Sequence, residues 1–253
     1  MDFELSTEQL ELARGVAQFA EAELNDDMIR RDREAEFSRS AWRACADLGL
    51  QGLPIPAEHG GQGQDLLTTI LVMEALGRAC VDNGLVFSLN AQLWSVQMPL
   101  LAYGTPEQRD RYLPGLCDGS RIGAHGMSEP DSGSDAMAMR TRAVRDGDGY
   151  RLNGRKTFAT NGPEADFAVV FATVRPEMKA LGVTAFLVDR STPGVTFGPP
   201  IPKMGLRTSP MGDLILEDAA VPASARLGAE GQGLAVFSAA MEWERACIFA
   251  ANL

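Results

Sequence analysis

The sequence predicts an α+β chain in three parts: an all-helical segment over residues 1–120, a β-rich middle over 121–228, and the opening helix of a further helical unit over 229–253. Three observations predict it. Apolar residues recur at helical spacing through the N-terminal part. From about Arg121 to Pro222 the segments turn short and rich in Val, Ile, Phe and Thr, and Gly, Pro and Asp separate them. After Gly228 comes a segment with no proline, and no glycine beyond Gly233, that is apolar around most of its circumference. There is no strand–helix–strand alternation, and no Gly-x-Gly-x-x-Gly follows a strand and opens a helix, so the dinucleotide fingerprint is excluded.

Each element has a local reason. Ser6 opens the first helix, with Gln9 completing a capping box and Leu10, Ala13, Val16, Ala17 and Ala20 following helical spacing. Ser38 opens a second through Trp42, Cys45 and Leu48, and Gly49 is placed to end it. Pro54, Pro56 and the run Glu58-His59-Gly60-Gly61-Gln62-Gly63 make a loop. A third helix fits residues 65–80, a fourth the apolar stretch from about Asp82, and Thr105-Pro106 caps a fifth. The apolar run from Leu85 to Tyr103 approaches the length of a membrane span. Asn90, Gln92 and Gln97 interrupt it and Pro99 ends it, which predicts a buried helix instead. In the middle part, Asp146-Gly147-Asp148-Gly149 turns between Ala143-Val144 and Tyr150-Arg151-Leu152. With strands at 167–174, 183–189 and 213–217 this predicts a small antiparallel barrel or sandwich. The last helix starts at Gln232-Gly233 and runs to Leu253, and its composition expects burial on several sides.

Composition narrows the function. With 23 basic and 34 acidic residues the net charge is -11, which leaves no electrostatic footprint for nucleic acid and repels anionic membranes. A polyanionic ligand would need a local basic pocket. The four cysteines are scattered without a Cys-x-x-Cys pair and there are two histidines, so no metal site is expected. Buried free thiols in a reducing compartment are expected in their place. The acidic start Met-Asp-Phe-Glu-Leu is unlike a signal peptide, and the expectation is a soluble, cytoplasmic protein.

Two motifs carry the chemistry. Gly126-Met127-Ser128-Glu129-Pro130-Asp131-Ser132-Gly133-Ser134-Asp135 is followed, after the predicted turn, by Asn153-Gly154-Arg155-Lys156-Thr157-Phe158-Ala159-Thr160-Asn161-Gly162. In this order and spacing they resemble the flavin-contacting loops of the acyl-CoA dehydrogenase family, and the resemblance extends through the whole chain. It implies FAD as cofactor. The positions matching the flavin or ligand contacts are His125, Met127, Ser128, Gly133, Ser134, Phe158, Ala159 and Thr160. Phe158 matches an aromatic along the flavin ring, and Thr160 the residue approaching its N5. Glycine at 133 suits a close approach of the chain to a planar ligand. His125 stands where many relatives carry an aromatic or small residue, and is assigned no acid–base role.

The resemblance implies α,β-dehydrogenation of an acyl thioester, acyl-CoA or acyl-carrier-protein. That reaction needs a carboxylate in an apolar site to take the α-proton and a hydride acceptor for the β-hydrogen. It also needs donors in place for the enolate oxygen. Within the family one subgroup carries its base on the first helix of the C-terminal bundle, directly before an arginine. Glu244-Arg245 in Met241-Glu242-Trp243-Glu244-Arg245-Ala246 matches that arrangement. Ala240, Glu244 and Ile248 share a helix face, which sets the carboxylate in an apolar stripe. Ser134, Glu242 and Arg245 match positions near the thioester. The segment after Asp82 and the last helix look closest to relatives that oxidise carrier-bound acyl groups. An electron-transfer flavoprotein or oxygen is the expected electron acceptor, and a homo-oligomer the expected assembly. The remainder of the C-terminal bundle is missing from this sequence. The rival readings are a flavin-dependent oxidase or monooxygenase of the same fold, and a non-catalytic subunit that needs a partner bundle.

Overall fold

Ser6 opens the first helix as its neighbours predict. Its hydroxyl accepts from the Gln9 amide at 3.1 Å while its own amide donates to the Gln9 side chain at 2.9 Å. In this computed structural model, which describes residues 4–252, α1 (Thr7–Glu23) follows that cap. The sequence reading missed α2 (Met28–Glu34), a two-turn polar helix entered through Asp27 in the left-handed conformation. It has no apolar period to read. α3 (Arg39–Asp47) ends beside Gly49, whose φ of 83° is the left-handed stop that glycine supplies. Asp65 caps α4 (Leu66–Ala79) by accepting from the Thr68 amide at 2.7 Å.

The apolar run after Asp82 does not stop at Pro99. α5 (Asn83–Gln92) passes through a π-helical turn, Leu93–Gln97, into α6 (Met98–Tyr103), with Pro99 in its first turn. The π turn re-spaces the backbone bonds, and a residue with no N–H is tolerated there. α7 (Pro106–Cys117) closes the helical part from a Thr105–Gln108 capping box.

The middle part is one eight-stranded sheet. Its strands are β1 (Gly123–Gly126), β2 (Arg142–Asp146), β3 (Gly149–Thr160), β4 (Phe167–Thr173), β5 (Val183–Asp189), β6 (Val195–Phe197), β7 (Met211–Pro222) and β8 (Arg226–Leu227). They lie in the order β6-β7-β3-β2-β4-β5-β8, with β1 on β4. The expected hairpin is present, pairing Asp146 with Gly149. The sheet departs from a purely antiparallel one at β1–β4 and β2–β4, which run parallel. β1 and β4 are separated by a whole hairpin, so the chain has length enough to return in the same direction. β6 and β8, three and two residues long, fall below what alternation can reveal.

α8 (Gly233–Cys247) is shorter than the sequence reading, which ran to Leu253, a residue outside those described. After Ile248 the chain tightens into a 3₁₀ turn, Ala250–Asn252, packed so closely on α4 that a Cβ on Gly77 would lie 1.7 Å from the Ala251 carbonyl oxygen.

The helices and the sheet are stitched by buried polar groups. Asp82 accepts from Arg31 of α2, from the Leu85 amide at 3.0 Å and from Thr208 Oγ1 at 2.5 Å. Ser88 and Ser209 hydroxyls lie 2.8 Å apart, and Gln92 Oε1 accepts from the Gly123 amide at 2.9 Å. One core gathers Trp42, Leu76 and Trp94 with Ala168 and Phe186 of the sheet. A second holds Tyr112, Phe167, Phe171 and Val236. All four cysteines are buried and unpaired. Among the described residues no helix is long and apolar enough to cross a membrane.

Candidate active site

The two motifs meet at a β-bulge. Along the β3–β7 ladder the register shifts between Lys156 and Ala159, so Thr157 and Phe158 lie outside regular pairing. The Thr157 amide donates to the Ser128 carbonyl at 2.8 Å and its hydroxyl to Asp213 at 2.7 Å. Phe158 takes a φ of 58°, unusual for a bulky residue, and the residue is 59% exposed. Strain of this kind persists only where the surroundings impose it.

Beneath the bulge, Lys156 is fully buried. Its ammonium donates to the Met127 carbonyl at 3.1 Å and to Glu129 Oε1 at 2.8 Å. Glu129 also accepts from the Thr141 amide at 2.9 Å, the Thr141 hydroxyl at 2.5 Å and the Arg140 amide at 2.6 Å. Burial lowers the Lys156 pKa to about 8 against the pull of Glu129. Burial pushes Glu129 up, but the hydrogen bonds from Lys156, Thr141 and the Arg140 amide outweigh it and hold the carboxyl below its usual range. The ion pair thus binds the first loop to β3, and the second motif, expected as a loop, lies mostly in that strand with a bulge at Thr157–Phe158.

Facing the bulge is a cavity of about 140 Å³ lined by Phe87, Ser95, His125, Ser128, Phe158 and Glu244, with Ala91, Gly123, Met127, Thr157, Thr160 and Ile248 completing the wall. Glu244 enters from α8 and accepts a hydrogen bond from the Ser95 hydroxyl. Burial raises its pKa, and the Ser95 bond opposes the rise in part. His125, on β1, packs against Phe171 at 5.2 Å and Phe237 at 6.3 Å between ring centroids. The residue as a whole is only half-buried, but its Nε2 is shut off from solvent without a partner. Burial first, and Lys156 second, hold its pKa down to about 4, so the imidazole is neutral at physiological pH.

Of the residues expected from sequence, the fold brings His125, Met127, Ser128, Phe158, Thr160 and Glu244 to one cavity. Ala159 is buried behind it, opposite Gly212. Gly133 and Ser134 are exposed and outside its wall, as are Glu242 and Arg245 on α8. A Cβ on Gly133 would meet nothing within 4 Å, so the protein's own packing does not demand glycine there. Sequence reasoning missed Phe87, Ala91 and Ser95. The signal available was polar Ser95 inside an otherwise apolar run. A larger groove of about 530 Å³ runs along α7 and the end of β7, but it holds none of the motif residues, and its Arg111 and Asp189 pair with each other at 2.6 Å.

Comparison with known proteins gives a consistent match. Residues 6–120 match the acyl-CoA dehydrogenase N-terminal domain and 124–219 the middle domain of the same family. An L-prolyl-[peptidyl-carrier protein] dehydrogenase from Pseudomonas fluorescens is 42% identical over all of this chain and 66% of its own length. Isovaleryl-CoA dehydrogenase from Pongo abelii is 38% identical over 95% of this chain and 57% of its own. The crystal structure of the prolyl acyl carrier protein oxidase AnaB superposes with a TM-score of 0.96 at 46% identity, over 98% of this chain and 66% of that one. PigA in complex with FAD and proline superposes at 0.95 with 38% identity, over 99% of this chain and 66% of that one. The chain thus spans 57–66% of the length of these relatives, and across that span it belongs to the acyl-CoA dehydrogenase family.

Proposed function

We propose that this chain supplies the helical and sheet domains of a FAD-dependent dehydrogenase that introduces an α,β double bond into an acyl thioester, with Glu244 as base. The observation that carries the reading is the meeting of Glu244, from α8, with Phe158 and Thr160 of the β3 bulge and Ser128 of the first motif around one small cavity. Removing two vicinal hydrogens requires a base and a hydride acceptor held against the same substrate, and these residues share one site.

The residues present fit a flavin along its edge. The space of about 140 Å³ is smaller than a tricyclic ring system, yet it lies beside the exposed Phe158, which the bulge holds in a left-handed conformation. Met127, Ser128, Ala159 and Thr160 would hold the ring through their backbone and hydroxyl groups, with Gly133 and Ser134 beyond on the open surface. When bound, FAD supplies the acceptor for the β-hydride. Glu244 does the protein's own chemistry. Its carboxylate, desolvated among Phe87, Ala91 and Ile248, is a stronger base than one in water and takes the α-proton. Ser134, Glu242 and Arg245 would meet the thioester arm outside the cavity.

For the substrate we favour a small aminoacyl thioester on a carrier protein over a long-chain acyl-CoA. The prolyl-carrier relatives support this. An electron-transfer flavoprotein or oxygen would reoxidise the flavin; the oxidase named among the structural relatives favours oxygen. A homo-oligomer is the proposed assembly and the cytoplasm the proposed compartment. The experiment is an absorbance spectrum of the protein with FAD, before and after acyl thioesters of each class. Flavin bands that bleach with prolyl-carrier protein support the reading. Bound flavin that no thioester bleaches overturns it.

A further inference from the structure

The π-helical turn Leu93–Gln97 is a departure from regular helix, and such turns occur preferentially at functional sites. Here it does two things at once. Trp94, fully buried, stacks on Trp243 of α8 with ring centroids 5.9 Å apart and planes 15° from parallel. The next residue, Ser95, donates its hydroxyl proton to Glu244, the next residue after Trp243. The two contacts are adjacent on both elements, so the ring stack fixes the register in which the hydroxyl meets the carboxylate. Trp94 is itself braced, its indole N–H donating to Asn90 Oδ1 at 2.8 Å, and Asn90 Nδ2 to the Val86 carbonyl at 2.9 Å.

We propose that Ser95, presented by this π turn, is a positioning residue that holds the Glu244 carboxylate in the cavity and favours its ionised form. The inference rests on the reading of Glu244 as the base. No other side chain donates to that carboxylate among the described residues. Around it, His125 is the one other titratable group lining the cavity, and it is neutral. Lys156 beneath is engaged by Glu129, and Glu242 and Arg245 on the same helix are exposed. A hydroxyl that donates to a carboxylate stabilises the anion, the state a base needs, in a site whose burial works against it. The same bond limits the rotamers of a side chain with three rotatable bonds, which raises the fraction aimed at the substrate.

The test is a direct titration of Glu244 that needs no turnover. With glutamate side chains carrying ¹³C at Cδ, the flavin-loaded protein is titrated by NMR, and the Glu244 resonance is assigned by its loss in Glu244→Gln. Ser95→Ala is expected to move that midpoint to higher pH by an amount resolvable against the other glutamates, and Ser95→Thr, which keeps a hydroxyl, to restore it. The acid limb of the kcat/KM profile should move with the midpoint, whereas a merely structural role lowers kcat/KM evenly across pH. A Glu244 midpoint unmoved by Ser95→Ala, with the fold intact by circular dichroism, overturns the positioning role while leaving the base untouched. Full activity of Glu244→Gln overturns the base itself, and the positioning role with it.

Discussion

The Lys156 ammonium lies 2.8 Å from the Glu129 carboxylate with both side chains closed to solvent. Breaking such a pair from one side strands a buried charge and costs roughly 3–5 kcal/mol. Lys156→Met and Glu129→Gln should each lose about that much in urea denaturation. The double substitution should lose clearly less than the sum, because it leaves no uncompensated charge. Additive losses would mean the two groups act independently.

Glu244 combines two opposed properties. Its pKa is raised by burial, so the folded state holds its proton into a range where the unfolded chain has already released it. In that range folded protein binds more protons, and stability falls as pH rises from the usual carboxylate value through the folded one. Glu244→Gln should therefore cut turnover by about 10²–10⁴-fold and raise the melting temperature at neutral pH. The stability gain should vanish in acid. A destabilised Glu244→Gln at neutral pH would contradict the burial argument.

His125 gives the opposite slope. Its folded pKa, held to about 4 from the ordinary 6.5, means the unfolded chain takes up the proton first as pH falls. Stability should drop across that window by about 3 kcal/mol in all. In His125→Phe, which keeps a ring against Phe171 and Phe237, that share of the pH dependence should disappear from denaturation curves recorded between pH 6.5 and 4.

Phe158 reverses an ordinary rule. In a regular strand, glycine is worse than alanine by roughly 0.5–1 kcal/mol. At a φ of 58° alanine keeps the strain and glycine relieves it, so Phe158→Gly should melt at or above Phe158→Ala. Both should retain flavin more weakly than the parent, as read by dialysis followed by absorbance.

Much of this architecture is written in local chemistry. The caps at Ser6, Ser38, Asp65 and Thr105 and the turn at 146–149 are short-range rules, and the structure obeys them. The misses are tertiary. Nothing near Pro99 announces a π turn, and the ring its Trp94 stacks on, Trp243, lies far along the chain. α2 lacks an apolar face because its one buried side chain, Arg31, is there for Asp82 rather than for the core. The site divides in the same way. Glu244 and the two motifs are recognisable in sequence, whereas Ser95 becomes meaningful only once α8 is laid beside it. Lys156 and Glu129 stand in plain view inside the motifs, but only burial tells them apart from surface charges.

Asp82 touches both matched segments of the chain: Arg31 and Leu85 on one side, Thr208 on the other. The family boundary between residues 120 and 124 is therefore a seam of ancestry and not of stability. A chimera that took its helices from one relative and its sheet from another would have to inherit Arg31, Asp82 and Thr208 as a set. The same holds for Ser88 with Ser209 and Gln92 with the backbone of Gly123. Recombination across this seam is constrained by a handful of polar side chains, and a library of such hybrids is best filtered on those positions before any core residue is considered.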